Sequence, residues 1–209
     1  RDSSTSRGLG DVYKRQVTRV NSTYVEPPTK SFVKILNTLE IKSCIDGLKE
    51  KCPIGKWTQS GSGMAIEINN NLITVISAGH VCDSEPNEKV KDYNQTIQLI
   101  DHKGMIHSAW VIHHTHYDQK ENADLCLLWV PTLEVPSIKF SKIKPKIGQE
   151  IFYIGAPKGI FHPPTVPMFK GIYSGKINDS ASMATFPATG GSSGSAVLND
   201  KYKKVFIKG

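Results

Sequence analysis

The chain has 209 residues, of which 38% are hydrophobic and 22% charged, with a formal net charge of +7 at pH 7. This composition is that of a folded globular protein and excludes a largely disordered chain. No apolar run approaches the roughly 20 residues of a membrane-spanning helix, and the positive charge forms no dense Lys/Arg stripe. The sequence therefore favours neither a membrane nor a nucleic-acid partner.

Residues 1–16 differ from the rest of the chain. They have no apolar periodicity, and they resemble a translated adaptor stretch joined abruptly to the segment that begins at residue 17. We therefore interpret 1–16 as a non-native or disordered segment and leave it out of the fold. A native basic arm is the alternative.

Short apolar runs dominate the next part of the chain. With 12 prolines and 17 glycines, they predict an all-β protein with many turns. The first strand is predicted from Ser31 to Asn37, and a polar insertion follows it as far as Gly55. Two hairpins are then predicted from pairs of apolar runs around polar turns, namely Met64–Ile68 with Leu72–Ile76 and Ile97–Ile100 with Met105–His114. Leu125–Val130 is continuously apolar and predicts a strand buried on both faces.

The segment 131–146 contains Pro and Lys without periodicity, and it predicts a linker between an N-terminal barrel (17–130) and a C-terminal barrel (147–209). Five further strands are predicted: Glu150–Ile154, Phe169–Ile177, Ser182–Phe186, Ser195–Leu198 and Lys204–Ile207. Strands at spacings of about ten residues indicate a barrel or sandwich. Because the chain stops directly after an apolar run, we expect the second barrel to be incomplete.

A glycine-rich segment, GGSSGSAV (190–197), contains the candidate nucleophile. Acyl transfer by a serine requires an exposed hydroxyl and backbone N–H groups directed at the developing oxyanion. Glycines permit the backbone dihedrals that turn two amides to one side. Ser193 is therefore the predicted nucleophile, and the N–H groups of Gly191 and Ser193 the predicted oxyanion hole. The alternative is a flexible surface turn.

Two further segments contain a candidate base and a candidate carboxylate. In SAGHVC (77–82), His80 follows directly on an apolar strand, where a general base would be held rigidly. In NADLCLLWV (122–130), Asp124 stands at the mouth of the most buried strand, where a carboxylate could orient the histidine. Taken alone, each has a structural alternative: a surface or core histidine, and a strand-edge aspartate. Asp118, the nearest competitor, lies in a polar stretch and should be solvated.

The order of these residues is more specific than any one of them. It is His, Asp, Ser, as in chymotrypsin, with 44 residues from His80 to Asp124 and 69 from Asp124 to Ser193. The first two precede the predicted linker and the serine follows it. A base in one barrel would therefore meet a nucleophile in the other across a cleft.

With these residues in place, the sequence resembles the chymotrypsin-like (trypsin-like) serine proteases of the short HtrA-like and viral kind. The resemblance rests on six segments: SGSGMAIE (60–67), LITVISAGHVC (72–82), NADLCLLWV (122–130), IGQEIFYIGAPKG (147–159), FKGIYSGKI (169–177) and ATGGSSGSAV (188–197). It implies two antiparallel six-stranded β-barrels, and hydrolysis of a polypeptide substrate in the cleft without a metal or organic cofactor. It assigns the triad to His80, Asp124 and Ser193.

The sequence also departs from this family. Ser192 stands before the nucleophile, where digestive relatives have an aspartate that pairs with a newly cut N-terminus, and no IVGG-type activation motif is visible. The zymogen switch is therefore expected to be absent, so other contacts must order the oxyanion loop. Ser195 and Ala196 replace the more usual Gly-Pro, and both are small enough to be tolerated.

The near wall of the pocket for the P1 side chain of the substrate would be Phe186–Gly190, with Ala188, Thr189 and Gly190 as substrate-binding residues. This wall has no carboxylate, so we expect a small or apolar P1 residue rather than Arg or Lys. Two other functions stay open: a protease-like scaffold without turnover, and a viral or phage structural segment that cleaves itself once.

Cysteines and histidines give weaker signals. The four cysteines, Cys44, Cys52, Cys82 and Cys126, are too few for a disulfide scaffold and too widely spaced for a zinc motif, although Cys44 and Cys52 could bridge a short loop. A histidine-rich patch predicts an exposed polar strand end rather than a zinc site; its members are His107, His113, His114 and His116.

Overall fold

The structure, a computed structural model, describes residues 25–45, 52–68, 72–83, 86, 88–115, 123–179, 181–202 and 204–207. In these ranges the chain forms eleven β-strands: β1 (Phe32–Cys44), β2 (Gly55–Ile68), β3 (Leu72–Ser77), β4 (Val90–Ile100), β5 (Ile106–Thr115), β6 (Leu125–Trp129), β7 (Glu150–Ile154), β8 (Met168–Lys176), β9 (Ser182–Ala184), β10 (Ala196–Leu198) and β11 (Lys204–Ile207). One short helix, α1 (Gly79–Cys82), follows β3, and 3-10 turns lie at Thr29–Ser31 and Pro157–Gly159. None of the helices in these ranges has the length and apolar character to span a membrane.

The first six strands form a closed antiparallel barrel in the order β1-β2-β3-β6-β5-β4. Both predicted hairpins are present, with Met64 opposite Ile76 and Ile97 opposite Ala109. The predicted end of the first strand at Asn37 was wrong, because β1 continues to Cys44. The residues after Asn37 include few apolar ones, but β2 and β4 hydrogen-bond to the strand on both sides and hold it in the sheet.

The remaining strands form one antiparallel sheet in the order β11-β10-β7-β8-β9. The strands β7 and β11 have the predicted bounds, and β8, β9 and β10 differ from theirs by one or two residues at one or both ends. The all-β double-barrel fold predicted from sequence is thereby confirmed. Among the described residues this second unit has five strands and stays open. The proposed domain limits at 17–130, 131–146 and 147–209 remain a prediction.

Apolar side chains form a layer inside the first barrel and a second layer between the two sheets. Along β3, Val75 faces the barrel interior while Ile76 joins the cluster shared with the second sheet. β6 alternates in the same way, with Leu128 inside and Leu127 in the shared layer. The continuous apolar runs in these strands follow from burial on two faces. The prediction that this strand is buried on both faces fails only at the end of β6, where Trp129 is 41% exposed.

All four cysteines are paired, as Cys44–Cys52 and Cys82–Cys126. The first pair closes the short loop considered from sequence. The second pair was not anticipated, because its partners are 44 residues apart in the sequence. The interpretation that four cysteines are too few for a disulfide framework was therefore incomplete.

The histidine-rich patch is divided by the fold. His113 and His114 on β5 are exposed as predicted, and His116 lies outside the described residues. His107, in contrast, is buried, and its Nε2 lies 3.3 Å from Oδ2 of Asp101 while its Nδ1 lies 2.9 Å from the Thr132 hydroxyl. The prediction of an exposed His107 was wrong because β5 turns alternate residues inward and Asp101 supplies a buried partner.

Asp101 should make the stability of the protein depend on pH. Burial raises the pKa of its carboxyl, but hydrogen bonds from Met105, His107 and Lys103 outweigh burial and hold this pKa below its ordinary value of 3.8. A lowered folded-state pKa stabilises the protein above the unfolded-state pKa, and the effect is lost as pH falls through the folded-state value. We expect Asp101→Asn to lower Tm at neutral pH, and the difference from wild type to shrink below about pH 4. Thermal unfolding across this pH range tests this, and a constant difference would contradict it.

Candidate active site

His80 lies on α1, a single turn whose last carbonyl groups are held by side-chain amides from three strands of the barrel. The amide of Asn37 donates to Val81 O at 2.9 Å, and that of Gln95 donates to Cys82 O at 2.8 Å. The amide of Gln59 lies 3.3 Å from the His80 carbonyl oxygen itself. These amides satisfy carbonyls that a helix end leaves without partners. The turn that carries His80 is therefore fixed to β1, β2 and β4.

Asp124 uses both carboxylate oxygens on His80. Its Oδ1 accepts the backbone N–H of His80 at 2.8 Å, and its Oδ2 lies 2.7 Å from His80 Nδ1. The Asp124 side chain is 17% exposed, whereas that of His80 is 42% exposed. The contact at Nδ1 directs Nε2 of the imidazole away from the carboxylate.

The backbone on either side of Asp124 is fastened to β5. The hydroxyl of Thr115 donates to Ala123 O at 2.7 Å and accepts the N–H of Leu125 at 3.2 Å. Gly79 allows the close approach of α1, because a Cβ there would lie 1.9 Å from the Thr115 carbonyl oxygen and 2.9 Å from Asp124 Oδ1. The small residue before His80 is thus required by space. Asp118 lies outside the described residues.

A disulfide joins the same two segments. Cys82 is two residues after His80, and Cys126 is two residues after Asp124, so the Cys82–Cys126 bond runs beside the His–Asp contact. Both cysteines are buried. The relative position of α1 and the start of β6 is therefore covalently restrained.

The candidate nucleophile lies in a tight turn of the second sheet. Gly191 and Gly194 have φ of +87° and +85°, values that favour glycine. Backbone bonds from Ser192 N to Thr189 O and from Ser195 N to Ser192 O, both 3.1 Å, close the turn. Ser192 is fully buried, while Ser193 is partly accessible. The turn therefore presents Ser193 and keeps its neighbour inside.

An open cleft of about 550 Å³ has His80 and Ser193 in its lining, and Asp124 is not part of that lining. The lining comes from β2, from α1 and from two loops beside the second sheet, and consists of Gln59, Ser60, His80, Val81, Lys158, Thr189, Gly190, Gly191 and Ser193. Of the predicted substrate-binding residues, Thr189 and Gly190 line the cleft, whereas Ala188 is exposed beside them and is not part of this lining. The described ranges contain no group of three or more His, Cys, Asp or Glu side chains that could hold a metal ion.

Sequence reasoning missed several contributors to this region. Nothing along the chain indicates that the side-chain amides of Asn37 and Gln95 reach α1. Ser62 was quoted only as part of SGSGMAIE, yet it is fully buried between the two sheets. The shared spacing of the two cysteines from His80 and Asp124 is the one feature that could have suggested the Cys82–Cys126 pair.

One family model matches the part of the chain that contains the candidate residues. The family model of the trypsin-like peptidase domain matches residues 61–206, a range that contains His80, Asp124 and Ser193. Comparison with the curated proteins returned no similar sequence.

Two solved structures have a similar fold. The serine endoprotease from Yersinia pestis is 18% identical with a TM-score of 0.58, and the match covers 86% of this chain and 53% of that one. The Rv3671c protease in its inactive form is 15% identical with a TM-score of 0.57, and the match covers 86% of this chain and 76% of that one. This chain thus spans about half the length of the Yersinia pestis protein. Since the family model covers more than half of the sequence, the chain belongs to the trypsin-like peptidase domain family.

Proposed function

We propose that this protein is a serine endopeptidase in which Ser193 is the nucleophile, His80 the general base and acid, and Asp124 the residue that orients His80. The observation that carries the proposal is the two-point contact of Asp124 with His80, at 2.8 and 2.7 Å, together with the presence of His80 and Ser193 in the lining of one cleft. A carboxylate in this contact fixes the imidazole tautomer with its proton on Nδ1 and leaves Nε2 free to accept one.

In the proposed reaction, Ser193 Oγ attacks the carbonyl carbon of the scissile peptide bond while His80 Nε2 takes the hydroxyl proton. The carbonyl oxygen becomes a tetrahedral oxyanion. When the C–N bond breaks, His80 gives its proton to the leaving amine, and an acyl ester remains on Ser193. Water then attacks the ester with His80 again acting as base, which releases the acid product and restores Ser193.

The N–H groups of Gly191 and Ser193 are the proposed oxyanion donors. Both residues line the cleft, and neither N–H is used in a backbone hydrogen bond within the described part of the turn. Donors of this kind are worth most when they are held before the charge develops. Their availability supports this assignment.

A small or apolar P1 residue is the proposed preference, with polypeptide as the substrate. The near wall, Phe186–Gly190, contains no carboxylate that could pair with Arg or Lys. Phe186 packs edge-on against Tyr153 at 5.1 Å, and the Tyr153 hydroxyl donates to Pro187 O at 2.6 Å. These contacts support a fixed, uncharged wall.

Labelling with a fluorophosphonate probe tests the proposal, because the probe reacts with a serine only when base and oxyanion donors activate it. We expect covalent modification of the wild-type protein at Ser193, located by mass spectrometry of its peptides. Ser193→Ala should abolish labelling. The matched control, Ser192→Ala, should still be labelled, since the Ser192 side chain faces the interior.

The other candidate functions give different results. A scaffold without turnover would leave Ser193 unlabelled in a folded protein, which would overturn the proposal. A self-cleaving segment would be cut once and then show no turnover of added peptides, which would overturn the assignment as an endopeptidase acting on other polypeptides.

A further inference from the structure

We infer that the buried hydroxyl of Ser62 is a positioning residue that sets the geometry of the oxyanion turn from the opposite barrel. The inference rests on the proposed function of Ser193, and it concerns a residue that does not touch the substrate. It answers how this turn is ordered when Ser192 replaces the aspartate that would otherwise pair with a new N-terminus.

The Ser62 hydroxyl makes one hydrogen bond in each direction, and both cross between the sheets. Ser62 lies on β2 and is fully buried. Its Oγ donates to Gly191 O at 2.8 Å and accepts the N–H of Ala156 at 2.9 Å. Its backbone N–H donates to Ser193 O at 2.8 Å, and its carbonyl accepts the Ser77 hydroxyl at 2.8 Å. Ser62 therefore contacts the candidate nucleophile turn at two points and a neighbouring loop at a third.

The directions of the two oxyanion N–H groups depend on how the carbonyl groups of the turn are held. In a trans peptide the C=O and the following N–H point in opposite directions, and the only cis bond among the described residues is Pro163–Pro164. Fixing Gly190 O therefore directs the Gly191 N–H the other way, and fixing Ser192 O does the same for the Ser193 N–H. Lys158 N donates to Gly190 O at 2.6 Å, and Ser195 N donates to Ser192 O at 3.1 Å.

Ser62 holds the Gly191–Ser192 peptide, which lies between the two peptides that carry the oxyanion donors. It also holds the loop from which Lys158 N reaches Gly190 O. Its bond to Gly191 O fixes the central peptide of the turn. Its bond from Ala156 N anchors the segment from which Lys158 reaches Gly190. Lys158 has φ of +52°, a conformation that a non-glycine residue keeps only when its surroundings hold it. Loss of the Ser62 hydroxyl would therefore release the turn directly and through this loop.

The experiment compares Ser62→Ala with Ser195→Ala. Ser195 is a matched control, because it is equally buried, its hydroxyl has no hydrogen-bond partner in the described structure, and alanine keeps its backbone N–H bond to Ser192 O. Removal of an oxyanion donor lowers kcat by about 10²- to 10³-fold, and misplacement of intact donors should lower it about 10- to 100-fold in Ser62→Ala. KM should change less than about threefold, because the lost contact acts in the transition state. The affinity for a peptide aldehyde, which forms a tetrahedral adduct, should fall in proportion to kcat.

The outcomes separate this inference from the proposed function. If wild type and Ser195→Ala are labelled by fluorophosphonate and hydrolyse peptides, but Ser62→Ala keeps their kcat, the inference alone is overturned. Equal losses in kcat and in ground-state binding would also overturn it, since they indicate a general structural role. An unlabelled wild type would overturn both. If Ser62→Ala does not fold, Ser62→Cys replaces it. A thiol is a weak donor and acceptor, so kcat should fall with KM unchanged, and wild-type kcat in that variant would overturn the inference.

Discussion

Replacing Asp124 with asparagine is expected to lower kcat about 10⁴-fold with little change in KM. The reason lies in the two-point contact with His80. The backbone N–H of His80 is a donor only, so the amide oxygen must take the place of Oδ1. The NH₂ group then faces Nδ1, which must accept instead of donate. The ring proton moves to Nε2, where it prevents His80 from taking the proton of Ser193. Steady-state kinetics on a peptide substrate measures the effect.

Asp101→Asn is the matched control for this substitution. It makes the same change in a second Asp–His contact, which is buried and joins Asp101, directly after β4, to His107 on β5. Neither residue lines the cleft. At neutral pH, and at a temperature below the lowered Tm of this variant, the kcat of Asp101→Asn should equal that of wild type. A loss of kcat smaller than about tenfold in Asp124→Asn would contradict the assignment of Asp124 as the orienting carboxylate.

Removing the Cys82–Cys126 disulfide should destabilise the protein by about 4 kcal/mol in the chain-entropy model, because the bond closes a loop across 44 residues. The double variant Cys82→Ala/Cys126→Ala should also have a lower kcat, since the bond restrains α1 against the start of β6 beside the contact of His80 with Asp124. Urea unfolding gives the free energy, and kinetics under native conditions gives the activity.

The second disulfide provides the control. Cys44→Ala/Cys52→Ala opens a loop with a sequence separation of 8, so the expected loss is about 2.5 kcal/mol. These cysteines pack with Ile41 at the far end of β1 and do not line the cleft. We expect this variant to keep its kcat. If both double variants lower kcat equally, the Cys82–Cys126 bond acts on overall stability and does not hold the His–Asp pair.

Much of the fold was predictable because it depends on local pattern. Short apolar runs separated by turns identified the hairpins, and β6 was recognised by its continuous apolar run. The strand β1 was cut short because its outer half has too few apolar residues to reveal a buried face, and only pairing on both sides holds it in the sheet. The burial of His107 was missed for a related reason, since its partner Asp101 becomes adjacent only when the hairpin closes.

The order His80, Asp124, Ser193 and the glycines beside Ser193 could be recognised from the sequence alone. Spacing and local context are properties of the chain, and they also carried the resemblance to trypsin-like peptidases, which the family match bears out. Their individual catalytic roles stay predictions until the labelling and kinetic experiments are done.

What the sequence determined by itself was therefore the all-β class, the family and the identity of the candidate triad. Only the tertiary structure decided what holds those residues in place: the amides of Asn37, Gln59 and Gln95 on α1, the Cys82–Cys126 bond, and the Ser62 hydroxyl between the sheets. These contacts join residues between 13 and 129 positions apart. Amides, thiols and hydroxyls are common along the chain, so their role depends on distances that arise only when the sheets close and pack.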